Sequence, residues 1–218
     1  PNDRGKYIGD AQEWERVQDA MRVILDHTGL EYKEADGEAA FYGPKLDIQF
    51  RNVFGKEDTL FTVQIDFALA ERFGMTYIDR DGQKKMPYII HRSSIGCYER
   101  TLAMMIEKYA GALPMWMMSE EVRLMNITED AAAYCHEYAK RLQAAGLRVT
   151  VDDRQEKIGY KIREARNERI PYMLVAGEKE IADGTFAVRR RGEGEIGNMS
   201  QDEFLELAVS QDRDKVIF

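Results

Sequence analysis

The residues with the most chemical potential fall in three places in the first half of the chain. The first is the run His91-Arg92-Ser93-Ser94-Ile95-Gly96-Cys97-Tyr98-Glu99-Arg100, which reads as the start of a helix. Gly96 lets a backbone or a ligand approach closely. Arg100, four residues on, shares that helical face. A guanidinium there can clamp a phosphate with its rigid bidentate fork, or simply pair with a surface carboxylate. The second is Tyr42-Gly43-Pro44-Lys45, a tight entry into a strand that can turn Tyr42 and Lys45 into one cleft or leave the lysine in solvent. The third is Thr62, Gln64 and Asp66, which share one sheet face by the period-two rule. Such a face is either solvated or a binding cleft. His91 has no second His or Cys at a zinc-like spacing.

A fourth candidate lies further on, between Arg154 and Arg191. It holds ten Lys and Arg against six Asp and Glu, a local excess of four positive charges. Lys157, Lys161 and Glu164 track one helical face there. A basic island in an acidic protein suits RNA phosphates. It equally suits a solvated helix with ion pairs such as Lys161–Glu164.

These residues need elements to hold them. Trp14, Val17, Met21, Ile24 and Leu25 give one apolar face to a helix running from an Asp10 cap to about His27, ended by Thr28-Gly29. Strands follow at AFYGPKLDIQFRNV and TLFTVQIDF, a hairpin turning at Gly55. After a short turn of helix near Ala68–Phe73, MTYID and MPYII flank RDGQKK as a second hairpin. Ser93–Ala110 is predicted to be one long helix. Antiparallel strands with a helix packed on them predict an α+β domain over residues 1–113.

Gly111-Ala112-Leu113-Pro114 breaks that helix, and residues 114–120 read as a linker. Over 121–218 the rhythm changes. Strands at Val122–Ile127, Leu147–Val151, Pro171–Ala176 and Thr185–Arg190 alternate with helices at Glu129–Ala145, Ile158–Arg169 and Gln201–Ser210. That pattern predicts a small, mostly parallel α/β sheet.

The whole chain has 218 residues, is 44% hydrophobic and 32% charged, and carries a net charge of −8. Bulk charge would therefore repel nucleic acid, so any such site must be a local basic patch. The two cysteines, Cys97 and Cys135, form no CxxC pair and read as reduced thiols of a cytoplasmic protein. No apolar run approaches the roughly 20 residues of a membrane span, and no signal peptide is expected. The polar opening PNDRGKYIGD suggests a chain cut from something longer.

AFYGPK, TVQIDF and IHRSSIGCYER, in this order, resemble the catalytic domain of the threonyl-tRNA synthetases. Gly96-Cys97-Tyr98-Glu99-Arg100 resembles class II motif 3. MNITED, DDRQEKIGYKIREARNERIPYMLVAGEKE and FAVRRRGEGEIGNMS resemble that family's anticodon-binding domain. The resemblance implies an antiparallel class II catalytic fragment followed by a small α/β anticodon-binding domain. It implies a threonine–tRNA ligase that uses ATP with Mg2+, forms threonyl-adenylate and passes threonine to its tRNA. Arg100 and Lys45 then become catalytic, with Arg100 and Thr62 on ATP and with Tyr42, Thr62 and Gln64 lining the threonine and adenylate pocket. His91 becomes one of three protein ligands to a Zn2+ ion, the other two expected upstream. The anticodon contacts map onto Gln155, Lys157, Arg169, Glu180 and Arg189. A homodimer is expected of the intact enzyme, and no membrane.

Some residues depart from the family pattern. Cys97 stands where many relatives have Ser, Thr59 where many have Gln, and Gln155 where Asn is frequent. The segment Trp116–Glu121 replaces a usual Trp-Leu-Ala-Pro. Motifs 1 and 2 are not in this sequence, so the chain alone is expected to be inactive. The competing reading is a non-catalytic tRNA-binding or regulatory module built from the same domains.

Overall fold

The structure, a computed structural model, describes residues 5–218; the first four residues of the polar opening lie outside it. The chain divides into two compact units, Pro1–Met104 and Met105–Phe218.

The first unit opens with helix α1, Ala11–Thr28, which ends on Gly29 in the left-handed region. Trp14 and Val17 are buried and Met21 and Leu25 half-buried, whereas Ile24 is 64% exposed, so the expected apolar face is only partly covered. Trp14 anchors the unit. Its indole donates to Ile8 O at 2.8 Å, and its ring meets Tyr7 and Phe67 edge-on. Strands β1, Lys45–Arg51, and β2, Glu57–Asp66, form the expected antiparallel hairpin, with a bulge between Ile48 and Gln49. Short helix α2, Leu69–Arg72, follows.

The next segment departs from expectation. Strands β3, Tyr77–Ile78, and β4, Lys84–Lys85, make the small Asp-Gly hairpin. The residues after Met86 do not return to it. Strand β5, Ile89–Arg92, pairs antiparallel with β2 instead, giving the sheet order β1-β2-β5. Pro87 has no amide for the hairpin ladder, which helps to end it. Helix α3, Tyr98–Tyr109, starts five residues later than predicted and runs across the boundary into the second unit. Gly96 is the reason for the late start. Its φ of +71 leaves the helical region, and its amide is taken by the Ser93 hydroxyl at 2.7 Å. Gly96 therefore precedes the helix rather than sharing its face with Arg100.

The second unit carries a five-stranded sheet in the order β10-β9-β8-β6-β7. Strands β6, Val122–Asn126, β7, Val149–Asp152, and β8, Tyr172–Ala176, are parallel. Strands β9, Thr185–Arg190, and β10, Gly194–Ser200, run antiparallel, so the sheet is mixed rather than mostly parallel. A 3-10 turn at Met115–Met117 leads in. Helices α4, Ala131–Ala144, α5, Ile158–Asn167, and α7, Gln201–Arg213, lie close to their expected positions, and the Ser200 hydroxyl caps α7 by accepting the Glu203 amide. Helix α6, Glu178–Asp183, and strand β10 are additional.

One core packs Leu124, Leu142, Tyr172, Leu174, Phe186 and Phe204 together on one side of this sheet. A smaller one joins Met125, Ala165, Ile170, Met173 and Val175 under α5. No helix among the described residues is long and apolar enough to cross a membrane.

Candidate amino-acid and anticodon sites

In the first unit the strand register brings separate sequence motifs into one row. Lys45 on β1 lies opposite Gln64 on β2, and Gln64 lies opposite His91 on β5. Cross-strand partners share a sheet face, so these three side chains stand side by side. A second row sets Asp47 against Thr62, and the Ser93 amide then donates to Thr62 O at 3.3 Å.

The loop before β1 adds Tyr42. That loop can lie against β2 only because Gly43 has no side chain: a Cβ there would sit 1.8 Å from Ile65 O. Tyr42 donates its hydroxyl to Gln64 Oε1 at 3.3 Å, and its ring meets the His91 ring edge-on at 6.4 Å. Thr62, Gln64, His91, Arg92 and Ser93 line an open hollow of about 340 Å³.

The polar groups of the hollow and of the strand rows beside it are mostly held. Lys45 Nζ donates to Asp47 Oδ2 at 2.5 Å, and Thr62 Oγ1 donates to Asp47 Oδ1 at 2.6 Å. Asp47 thus joins two of the expected residues, although it drew no attention in the sequence. Its position two residues after Lys45 was the available signal, since i and i+2 share a strand face. Gln64 is the exception. With its oxygen facing Tyr42, its Nε2 is buried and finds no partner. A buried unmet donor costs about 1–3 kcal/mol, which an acceptor on a ligand would recover.

His91 bonds through Nε2 to Asp66 Oδ2 at 2.9 Å. Burial pushes the Asp66 carboxyl upward, but the His91 bond and the Leu69 and Ala68 amides outweigh it and hold the group below the usual carboxylate range. One ring nitrogen of His91 is therefore committed and the other is open, which suits a histidine that offers a single donor to a metal ion. Among the described residues no three His, Cys, Asp or Glu side chains gather to hold a metal. Any zinc here would need its other donors from elsewhere.

Arg100 does not line the hollow, and neither do Tyr42 and Lys45, which reach it only through their pairing with Gln64. The Arg100 Nη1 donates to Thr59 O at 2.8 Å, three residues before Thr62 on β2, roughly 10 Å along the strand. What places it there is Gly96, whose absent Cβ would lie 2.0 Å from Leu60 O. Cys97 beside it is exposed, while Cys135 is buried and its thiol is pushed up to about 12 by that burial.

In the second unit the five anticodon candidates fall into two groups. Gln155 and Lys157 follow the C-terminal end of β7 and are exposed. Glu180 lies on α6, just past the end of β8, and its Oε2 accepts the Gly177 amide at 2.9 Å. Arg169 and Arg189 belong to the opposite end of the sheet. Arg169 follows α5 with a positive φ of 61, and Arg189 faces Met173 near the start of β8. The ten residues of α5 separate the groups by about 15 Å.

Much of the basic island is neutralised. Arg189 pairs with Glu195, Arg190 with Glu193, and Arg154 with both Asp152 and Glu164. The expected Lys161–Glu164 pair is not formed. Lys161 is buried, and its ammonium donates to Asn126 O, Asn126 Oδ1 and Asp152 O, tying the ends of β6 and β7 together. Lys157, Arg166 and Lys179 make no ion pair among the described residues, so they leave positive charge free. Tyr160, one turn beyond Lys157, is 38% exposed, with the Arg163 guanidinium over its ring.

Comparison with known proteins matches both units. Residues 6–109 fit the tRNA synthetase class II core domain (G, H, P, S and T), and residues 121–211 fit the anticodon binding domain. A threonine–tRNA ligase from Clostridium perfringens (strain 13) is 59% identical over 209 residues, covering 96% of this chain and 32% of that protein. One from Geobacillus kaustophilus is 47% identical over 216 residues, covering 99% of this chain and 33% of its own length. The solved RNA binding domain of threonyl-tRNA synthetase from Cryptosporidium parvum Iowa II superposes with a TM-score of 0.85 at 31% identity, covering 94% of this chain and 52% of that one. The chain thus spans about a third of the length of the curated relatives it matches.

Proposed function

This chain belongs to the threonyl-tRNA synthetase family, joining a class II core segment to an anticodon-binding domain, and we propose that it serves an ATP-dependent threonine–tRNA ligase. The observation that carries this reading is the row Lys45–Gln64–His91 with Tyr42 closing it. Residues far apart in sequence meet there beside an open hollow that Thr62, Gln64 and His91 line, and the row contains one buried, unmet donor.

In this reading Tyr42, Thr62 and Gln64 bind threonine and its adenylate, and Gln64 Nε2 donates to a substrate oxygen. Lys45 and Arg100 bring positive charge to the ATP phosphates, supplied with Mg2+, as pyrophosphate leaves. Lys45 must then exchange its Asp47 bond for a phosphate oxygen, and Arg100 must leave the Thr59 carbonyl. His91 would hold Zn2+ together with donors beyond the described residues. Bound zinc would supply Lewis-acid recognition of the threonine amine and hydroxyl. That selectivity matters because an apolar pocket separates threonine from valine by only about a hundredfold.

In the second domain, Gln155, Lys157 and Glu180 read one part of the anticodon loop and Arg169 and Arg189 another. A splayed single-stranded loop is the usual target of sequence-specific RNA recognition. The working enzyme is read as a cytoplasmic homodimer. The domain limits are read as 1–113 and 121–218, with a linker between. By itself the chain brings one arginine and one histidine from the expected set, and it should form no adenylate.

Two measurements test this. In the whole ligase, Gln64→Ala or His91→Ala should lower threonine-dependent pyrophosphate exchange about a hundredfold or more, while Arg189→Ala leaves that exchange unchanged. With the 218-residue chain, a threonine anticodon stem-loop should bind more tightly than an unrelated one. Arg189→Ala should erode that preference, and Lys157→Ala should weaken both alike if it touches phosphate. Equal affinity for the two stem-loops before any substitution would remove the anticodon role.

A further inference from the structure

Asp66 shares the face of Thr62 and Gln64, yet the assignments above give it no part. It is 3% exposed, and both its oxygens are engaged. Oδ1 accepts the backbone amides of Ala68 at 2.8 Å and Leu69 at 3.0 Å. Oδ2 faces His91 Nε2 at 2.9 Å. A carboxylate that takes two amide protons on one oxygen is set up as an acceptor, and an ionised carboxylate can only accept. The proton between Asp66 and His91 therefore sits on the imidazole Nε2. A neutral imidazole carries one proton, so Nδ1 keeps its lone pair. The Tyr42 ring edge and the β2–β5 pairing hold the His91 ring in this orientation.

We infer that Asp66 is a positioning residue that locks His91 as the Nε2–H tautomer and presents its Nδ1 lone pair to the hollow. A ring so fixed takes an electron-pair acceptor, either a metal ion or an N–H or O–H group of a bound ligand. The use made of that lone pair rests on the proposed ligase function; the tautomer does not. Any carboxylate-to-neutral change at residue 66 that keeps the fold should free the ring to sample both tautomers. A purely structural carboxylate would stabilise the start of α2 and leave the imidazole proton indifferent to it.

The test uses the 15N-labelled 218-residue chain and two-bond proton–nitrogen correlation of its three histidines, at about pH 8.5, well above the usual histidine value of about 6.5. Substituting His27 and His136 singly identifies the His91 signals. The expected pattern is a pyrrole-type Nε2 and a pyridine-type Nδ1 in the wild type. In Asp66→Asn, whose amide can either donate or accept, the pattern should move toward an even mixture. The unchanged indole signal of buried Trp14, which donates to Ile8 O and packs on Phe67 just past β2, reports that the first unit is still folded. If Asp66→Asn loses its fold, the wild-type tautomer decides alone. A wild-type ring protonated at Nδ1, an even wild-type mixture, or a pattern unmoved in folded Asp66→Asn overturns the inference. None of those results touches the pyrophosphate-exchange or stem-loop tests of the ligase reading, so the two can fail separately.

Discussion

Phe186 in the second unit is fully buried, its ring stacked against both Tyr134 and Tyr138. Phe54 in the first unit tips the β1–β2 hairpin and is 87% exposed. The contrast extends to the units themselves. In the first, Trp14, Val17, Pro44 and Ala70 are the buried apolar side chains among the described residues, while Ile24, Leu30, Phe73, Ile78 and Ile90 lie open. In the second, both faces of the sheet are packed. A sheet that buries neither face well draws little hydrophobic stabilisation, at about 25 cal/mol per Å² covered. The hollow of the first unit is therefore ordered by register and hydrogen bonds more than by a core. The anticodon candidates sit instead on the rim of a finished core.

The sharpest way to break this contrast is one substitution made in both units. Phe186→Ala should cost about 3–5 kcal/mol, as deletion of a buried ring does. Phe54→Ala should stay within about 0.5 kcal/mol. Denaturant unfolding followed by amide exchange in each unit reads both. A cost at Phe54 that approaches the cost at Phe186 would mean the hairpin tip is covered in solution.

Next in size is Gly96→Ala, which asks whether the first unit is rigid where its site residues sit. The new Cβ would press on Leu60 O and the residue would be held at positive φ, so the loss should exceed about 1 kcal/mol. The Arg100–Thr59 bond should go with it, seen as faster exchange at the start of α3. A neutral outcome would show that the helix start is not seated on β2.

The second unit can be probed by acid. The Arg154 guanidinium beside Asp152 holds that carboxyl below the usual range, against a smaller upward push from burial. An acid with a lowered folded value stabilises the fold above its unfolded value. That contribution is lost as pH falls through the folded value. Stability of the second unit should thus decline on acidification below the ordinary aspartate range, and Asp152→Asn should flatten that decline. An unchanged slope in Asp152→Asn would assign it to other carboxylates.

The sequence disclosed these units unequally, for physical reasons. Amphipathic helices around an alternating strand pattern made β6 to β9 and α4, α5 and α7 legible. Helix α6 is six residues long and β10 carries two glycines, too little for either period to register. In the first unit Tyr42, Lys45, Thr62, Gln64 and His91 were named from motifs, but their meeting depends on β5 pairing with β2. Local sequence favoured the Asp-Gly hairpin and said nothing of that long-range partner. Lys161 misled for a related reason. Helical spacing put it on the face of Lys157 and Glu164, while the carbonyls that draw it inward come from β6 and β7. Asp66 was visible as a third polar residue on its face, but only its contact with His91 suggests what it does.

The smallest expected effect tests whether the polar row is tuned for ligands rather than for stability. Asp47 links Lys45 and Thr62, yet the Lys45 and Asp47 side chains remain 29% and 17% exposed. Partly solvated pairs of this kind contribute about 0–1 kcal/mol. Asp47→Asn keeps an oxygen for the Thr62 hydroxyl and removes only the charge facing Lys45. Unfolding free energy should therefore move by less than about 1 kcal/mol. The Lys45 ammonium, relieved of its counter-charge, should bind inorganic pyrophosphate more tightly than in the wild type, read by titration of the 218-residue chain. A large stability loss with no gain in anion binding would make Asp47 a structural tie, and the first unit would then depend on its polar face as the second depends on its core.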